Sequence, residues 1–151
     1  MLHSPDPALD DLLAALAQAN YSFVAVTPAT HARVVAHKGE AENLRDIFGW
    51  SRPFREETLP PGLFEILERA DALEEVEGLW KSRLRAARLE DMLFLHSAFP
   101  TDEADAVFFG PDTYRFAAML KGELPRIGPV RRLVDIGAGS GAGGIVAAAL
   151  L

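Results

Sequence analysis

The chain has 151 residues, a net charge of −7, and a balance of 49% hydrophobic to 25% charged residues, which sets disorder aside and allows one ordinary core or two small ones. It contains no cysteine, which excludes a disulfide framework and a thiolate metal site, and its four histidines, His3, His31, His37 and His96, are scattered without ligand spacing, so no metal is expected. The start MLHSPDPALDDLL is not a secretory signal and no apolar run is long enough to span a bilayer, so a cytoplasmic protein with no membrane partner is expected.

Asp6-Pro7 opens a first helix: Asp accepts a bond from a free N–H, and proline at the first helical position loses nothing. Leu9, Leu12, Leu13 and Leu16 carry it to about Ala19. YSFVAV follows, short and rich in aromatic and β-branched residues, and Thr27-Pro28 opens a second helix bearing Val34 and Val35. Leu44, Ile47 and Phe48 mark a third, stopped by Gly49 and then by Pro53, and Pro60-Pro61 precedes a fourth on which Leu63, Ile66, Leu67 and Ala70 share a face.

Composition allows helix or hairpin over residues 81–97, KSRLRAARLEDMLFLHS; Glu90-Asp91 midway and the buried-strand character of MLFLHS favour the hairpin. Small helices followed by a hairpin is also the element order of winged-helix modules. Charge is uneven: residues 40–77 hold eleven of the twenty-two acids, whereas Lys81, Arg83, Arg85 and Arg88 fall in eight residues without an acid. On a strand Arg83 and Arg85 share a face, which is either simply solvated or a contact for phosphates or an acidic partner. Trp50 and Trp80 are expected in packing rather than as base-stacking platforms.

Composition shifts at Phe99. Residues 100–103 are expected as a loop; AVFFGPDTYRF then leads into a helix capped by Asp112, with Phe116, Leu120 and Leu124 at spacing four and Pro125 closing it. A strand from Arg132 to Ile136 follows. The organisation is therefore an α+β module over residues 1–100, of small helices and a hairpin, and the opening of an α/β domain over 101–151.

At the end of that strand the chain breaks into Gly137-Ala138-Gly139-Ser140-Gly141 before an alanine-rich helix. Glycine takes positive φ and has no Cβ, so such a backbone can bend sharply and lie against a ligand, with free amides and the positive end of the helix turned to it. The bland alternative is a tight turn with no ligand. Gly139, Gly141 and Gly144 satisfy G-x-G-x-x-G, as do Gly137 and Gly139 with Ala142 third, so a nicotinamide or flavin oxidoreductase is one reading. Asp135 favours another: its carboxylate would repel a diphosphate and suits a ligand with a positive centre.

VDIGAGSGAG resembles the first motif of class I S-adenosylmethionine-dependent methyltransferases. Phe109-Gly110-Pro111-Asp112-Thr113 is similar to the segment preceding the cofactor strand in those that modify a release-factor glutamine, and in relatives acting on ribosomal RNA, although Gly110 stands where that group usually has arginine. The likeness spans roughly residues 107–145. It implies a Rossmann-like domain behind a small N-terminal substrate-recognition domain, with S-adenosylmethionine as cofactor. Gly137, Ala138, Gly139, Ser140 and Gly141 would wrap the methionine part, Asp135 would sit near its amino group, and Thr113 and Phe109 would close one side; alternatively Thr113 only continues the helix cap. The implied acceptor is ribosomal RNA or a translation protein.

The further strands of such a domain are not found after Ile136, nor is the Asn-Pro-Pro-Tyr type of motif. The chain is thus expected to be the N-terminal portion of an enzyme, not catalytic alone, with its catalytic residues elsewhere. A further expectation is a homodimer burying the C-terminal segment, or a mobile segment there. The third alternative is a non-catalytic module whose first hundred residues bind RNA or protein.

Overall fold

A computed structural model describes residues 6–37, 39–99 and 106–151. The protein is α+β, with small helices followed by two antiparallel hairpins and two further helices. Helix α1 spans Pro7–Gln18, α2 Pro28–Val35, α3 Leu44–Phe48 and α4 Leu63–Arg69. The Asp6 carboxylate accepts from the Ala8 N–H at 2.9 Å, and the Thr27 and Asn43 side chains cap α2 and α3 in the same way. Asp6 and Thr27 are the openings from which α1 and α2 were expected; the Asn43 cap of α3 was not anticipated. YSFVAV is extended but joins no ladder; it alternates buried Tyr21, Phe23 and Ala25 with outward Ser22 and Val24.

Strands β1 (Leu73–Val76) and β2 (Leu79–Ser82) form a hairpin that the sequence reading did not anticipate. Its turn, Glu77-Gly78, has both residues at positive φ, 53° and 78°, the twist that tight hairpins need. Glu74 pairs opposite Lys81, so like-charged neighbours along β1 are offset across the ladder. Strands β3 (Leu84–Leu89) and β4 (Met92–Ser97) form the expected second hairpin, turning at Glu90-Asp91. Both its faces pack against apolar side chains, which is why Met92 to Leu95 is continuously apolar.

One face of this hairpin, with Ala86, Leu93 and Leu95, meets the first core. There α1 supplies Leu12 and Leu16, α3 Ile47 and Phe48, and α4 Leu63 and Leu67. Trp50 and Trp80 pack here too, edge-on to Phe23 and Phe64 at 5.0 and 5.4 Å. The other face, with Ala87, Leu89 and Phe94, meets a second core built with Ala25, Phe109, Ala117, Ala142 and Val146. That core draws on residues from both sides of position 100; the loop expected at 100–103 lies outside the described residues.

Helix α5 (Pro111–Ile127) corrects three expectations. Its N-cap is Gly110, not Asp112, which lies inside the first turn. Pro125 does not close the helix: in the last turn it forfeits one intrahelical bond, and the helix runs two residues further to Gly128 at φ 85°. Its packed face is Ala117 and Leu124, while Phe116 is exposed, because Tyr114 and Ala117 fall on the side facing the hairpin. The final helix, α6, spans Ala142–Leu150. Between them the expected strand 132–136 is not formed: Arg132 to Asp135 belongs to no ladder, and Ile136 is 92% exposed. A strand is made by its partner, and among the described residues none lies alongside.

Candidate functional site

The glycine loop joins this unpaired run to α6. Gly137, Gly139 and Gly141 take φ of 74°, 53° and 71°, so the alternate positions are glycine because the backbone there is left-handed. Crowding is not the reason: a Cβ at Gly137 would meet nothing within 4 Å. The loop closes on itself through one bond, Gly141 N–H to the Ala138 carbonyl at 2.8 Å. The N–H groups of Gly139 and Ser140 meet no acceptor among the described residues.

Asp135 is placed by a contact that the sequence reading did not find. Its Oδ2 accepts from the Gly144 N–H, 2.8 Å away, in the first turn of α6. A carboxylate is thereby fixed at the positive end of the helix, where it satisfies one of the first-turn donors that would otherwise be open. Gly143 and Gly144 are glycine for this reason. A Cβ at either would approach Asp135 Oδ2 to 3.3 or 3.2 Å, and one at Gly143 would sit 2.5 Å from the Phe116 ring. Two consecutive glycines just inside a helix start, where glycine is unfavourable, are the sequence signal of that close approach.

Phe109 and Thr113 lie at the start of α5. Phe109 is 1% exposed, stacked on His96 at 5.4 Å and edge-on to Tyr114 at 5.5 Å, and it shares the second core with Ala142 and Val146 of α6. Thr113 Oγ1 accepts from the Gly110 N–H at 3.4 Å, a helix-capping contact. Tyr114 ties the assembly to the N-terminal residues, its hydroxyl accepting from the Ala25 N–H at 2.9 Å. Phe109, Asp135 and the loop are thus gathered around the N-terminal end of α6.

The basic run is dispersed. Lys81 pairs with Glu74 at 3.4 Å and Arg83 with Asp71 at 3.7 Å. Arg88 donates to the Tyr21 carbonyl at 2.9 Å. Arg85 is 1% exposed, so it is neither a solvated strand residue nor a phosphate contact. Its Nε and Nη2 both donate to the Gly49 carbonyl, at 2.9 and 2.7 Å, and its guanidinium lies over Phe99 at 4.7 Å. Burial draws its pKa down to about 10.

Two of the histidines, His31 and His96, are buried. The Nε2 atoms of His31 and of His96, which lies opposite Arg85 across the hairpin, and the Ser51 hydroxyl are buried and meet no hydrogen-bond partner among the described residues. Burial, and then the charge of Arg85, bring the His96 pKa down to about 4 and lower that of His31 in the same direction. His37 is exposed, and His3 lies outside the described residues. Among the described residues no group of three His, Asp or Glu side chains could hold a metal ion, and no helix is long and apolar enough to cross a membrane.

Comparison with protein-family models, with curated proteins and with solved structures finds no match.

Proposed function

We propose that residues 135–144 form the cofactor end of an S-adenosylmethionine-dependent methyltransferase with a Rossmann-like domain. In this reading the chain is the N-terminal portion of an enzyme that methylates ribosomal RNA or a translation protein. The supporting observation is the Asp135–Gly144 contact. It parks a negative charge where a dinucleotide fold would place its diphosphate, so the anion-binding end of α6 is already used. A ligand with ammonium and sulfonium charges gains from the same carboxylate.

The left-handed glycines fit such a ligand, since the space a Cβ would take at Gly137 is open for it to occupy. Gly137, Ala138, Gly139, Ser140 and Gly141 would hold the methionine portion, with Asp135 facing its amino group and Phe109 and Thr113 on one side. Bound there, the cofactor supplies an electrophilic methyl group. The protein's own contribution is to orient it by the Gly139 and Ser140 amides and to exclude anions. The unpaired run 132–135 would be the first strand of the domain's sheet. Calorimetry on the product of the intact gene tests the reading: S-adenosylhomocysteine binds and NAD does not, whereas binding of NAD alone overturns it.

A further inference from the structure

Arg85 is a buried cation without an anion. Its Nε and Nη2 donate to the Gly49 carbonyl, and among the described residues no carboxylate pairs with it and Nη1 meets no acceptor. An interior charge is ordinarily neutralised, because desolvating it is far more costly than one bond to a carbonyl returns. Around it stand three further open groups, the Nε2 atoms of His31 and His96 and the Ser51 hydroxyl, on residues each more than nine-tenths buried. His31, from α2, packs edge-on to the Phe99 ring at 4.9 Å, and the Arg85 guanidinium lies over the same ring at 4.7 Å. Ser51 follows Trp50, whose ring is 5.9 Å from that of His31, and His96 faces Arg85 across the β3–β4 ladder. Ser51 is moreover held at φ 54°, a left-handed backbone that a side chain disfavours.

These groups specify a ligand. His96 Nδ1 lies 3.3 Å from the Ser97 carbonyl, which can only accept, so the ring proton is there and Nε2 offers a bare lone pair. The complement is a negative oxygen for Arg85 joined to an O–H for that nitrogen. A metal cation would be repelled by the guanidinium, and a polymer's phosphate does not reach a residue 1% exposed. Entry has a route. His31 is the only buried residue of α2, and the helix is otherwise tied by Arg52, which donates to the carbonyls of Val34, His37 and Gly39. An element held by one interior side chain opens before the core does.

We propose that His31, Ser51, Arg85 and His96 form a binding site for a small hydroxycarboxylate, its carboxylate on Arg85 and Ser51 and its hydroxyl donating to His96 Nε2, with α2 lifting to admit it and His31 closing over it. None of the four residues belongs to the glycine loop, so the proposal does not rest on the cofactor reading.

Titration of glycolate into the whole chain, with acetate and chloride at the same ionic strength, tests it. The expected result is a saturable rise in melting temperature, with glycolate bound about tenfold more tightly than acetate, which lacks the hydroxyl, and chloride weaker than both. The Nε2 signals of His31 and His96 should move in imidazole nitrogen spectra of the parent chain. His96→Phe removes the acceptor and should abolish the preference for glycolate over acetate, whereas His31→Phe, which keeps a ring against Phe99, should weaken both; melting curves confirm that the variants fold. No saturable effect, glycolate bound no more tightly than acetate or chloride, or binding that leaves the Nε2 signals unmoved would each overturn the proposal. No nucleoside enters the titration, so this reading and the cofactor reading fail separately.

Discussion

Acidification should unfold this protein through His96. The ring is 3% exposed, stacked on Phe109 and opposite Arg85, so a proton on it would be both desolvated and repelled. In the folded state its pKa is about 4, against 6.5 when unfolded. The unfolded chain therefore takes up the proton first as pH falls. The stability contributed by keeping His96 neutral is fully present above pH 6.5 and is lost as pH falls from there toward 4. At about 1.4 kcal/mol per pKa unit, the loss is at most about 3 kcal/mol, a large share of a small domain's stability. His96→Phe keeps an aromatic ring on Phe109 and has no proton to accept, and it removes the unpartnered Nε2. Urea unfolding of both proteins at pH 7.5, 5.5 and 4 measures the difference. The parent chain should lose stability relative to the variant by up to that amount across the window, while the two stay within about 1 kcal/mol of one another at pH 7.5. His31, shifted in the same direction, leaves a smaller slope in the variant. Parallel pH profiles would refute the reasoning, since they would mean that His96 is hydrated or paired.

Gly139→Ala should destabilise by about 1–2 kcal/mol from the left-handed backbone alone, read from urea midpoints, whereas the cost of Gly143→Ala should be largely relieved by Phe116→Ala. Tyr114→Phe removes the acceptor of the buried Ala25 N–H and should cost about 1–3 kcal/mol in the same assay. The exposed Val134, Ile136 and Ile145 should drive reversible self-association with rising concentration in sedimentation, and Val134→Lys with Ile136→Lys should suppress it; a parent chain that stays monomeric over the same concentrations counts against that surface.

What could be read from the residues was what is local. Asp6-Pro7, Thr27-Pro28 and Gly49 act within a turn of where they stand, and the helices they bound are present. The Glu90-Asp91 turn was legible because it falls midway between two segments, the second of which, MLFLHS, has the character of a buried strand. The β1–β2 hairpin was not, because Glu74 and Glu75 look like solvated surface until Lys81 and Trp80 are placed across from them. Arg85 looked like a surface charge for a similar reason. Its partner is a main-chain carbonyl thirty-six residues earlier, left open where Gly49 lets the Phe23 ring approach. Pro125 and Asp112 were assigned roles by residue type, but the helix start was set by Gly110 with Thr113. At the candidate site the left-handed glycines were legible from their alternation, and the carboxylate was legible as a charge. Its bond to Gly144 was not, because it depends on how α6 turns back over the residue nine positions earlier.

The central claim is electrostatic, and Asp135→Asn isolates it, because an amide oxygen can keep the Gly144 hydrogen bond while the charge is removed. Titrating S-adenosylhomocysteine and NAD into the intact protein and into this variant is the direct test. The account predicts that S-adenosylhomocysteine binding weakens by about tenfold or more without the charge and that NAD does not bind the parent protein. NAD binding to the parent, with S-adenosylhomocysteine indifferent to the substitution, would contradict it.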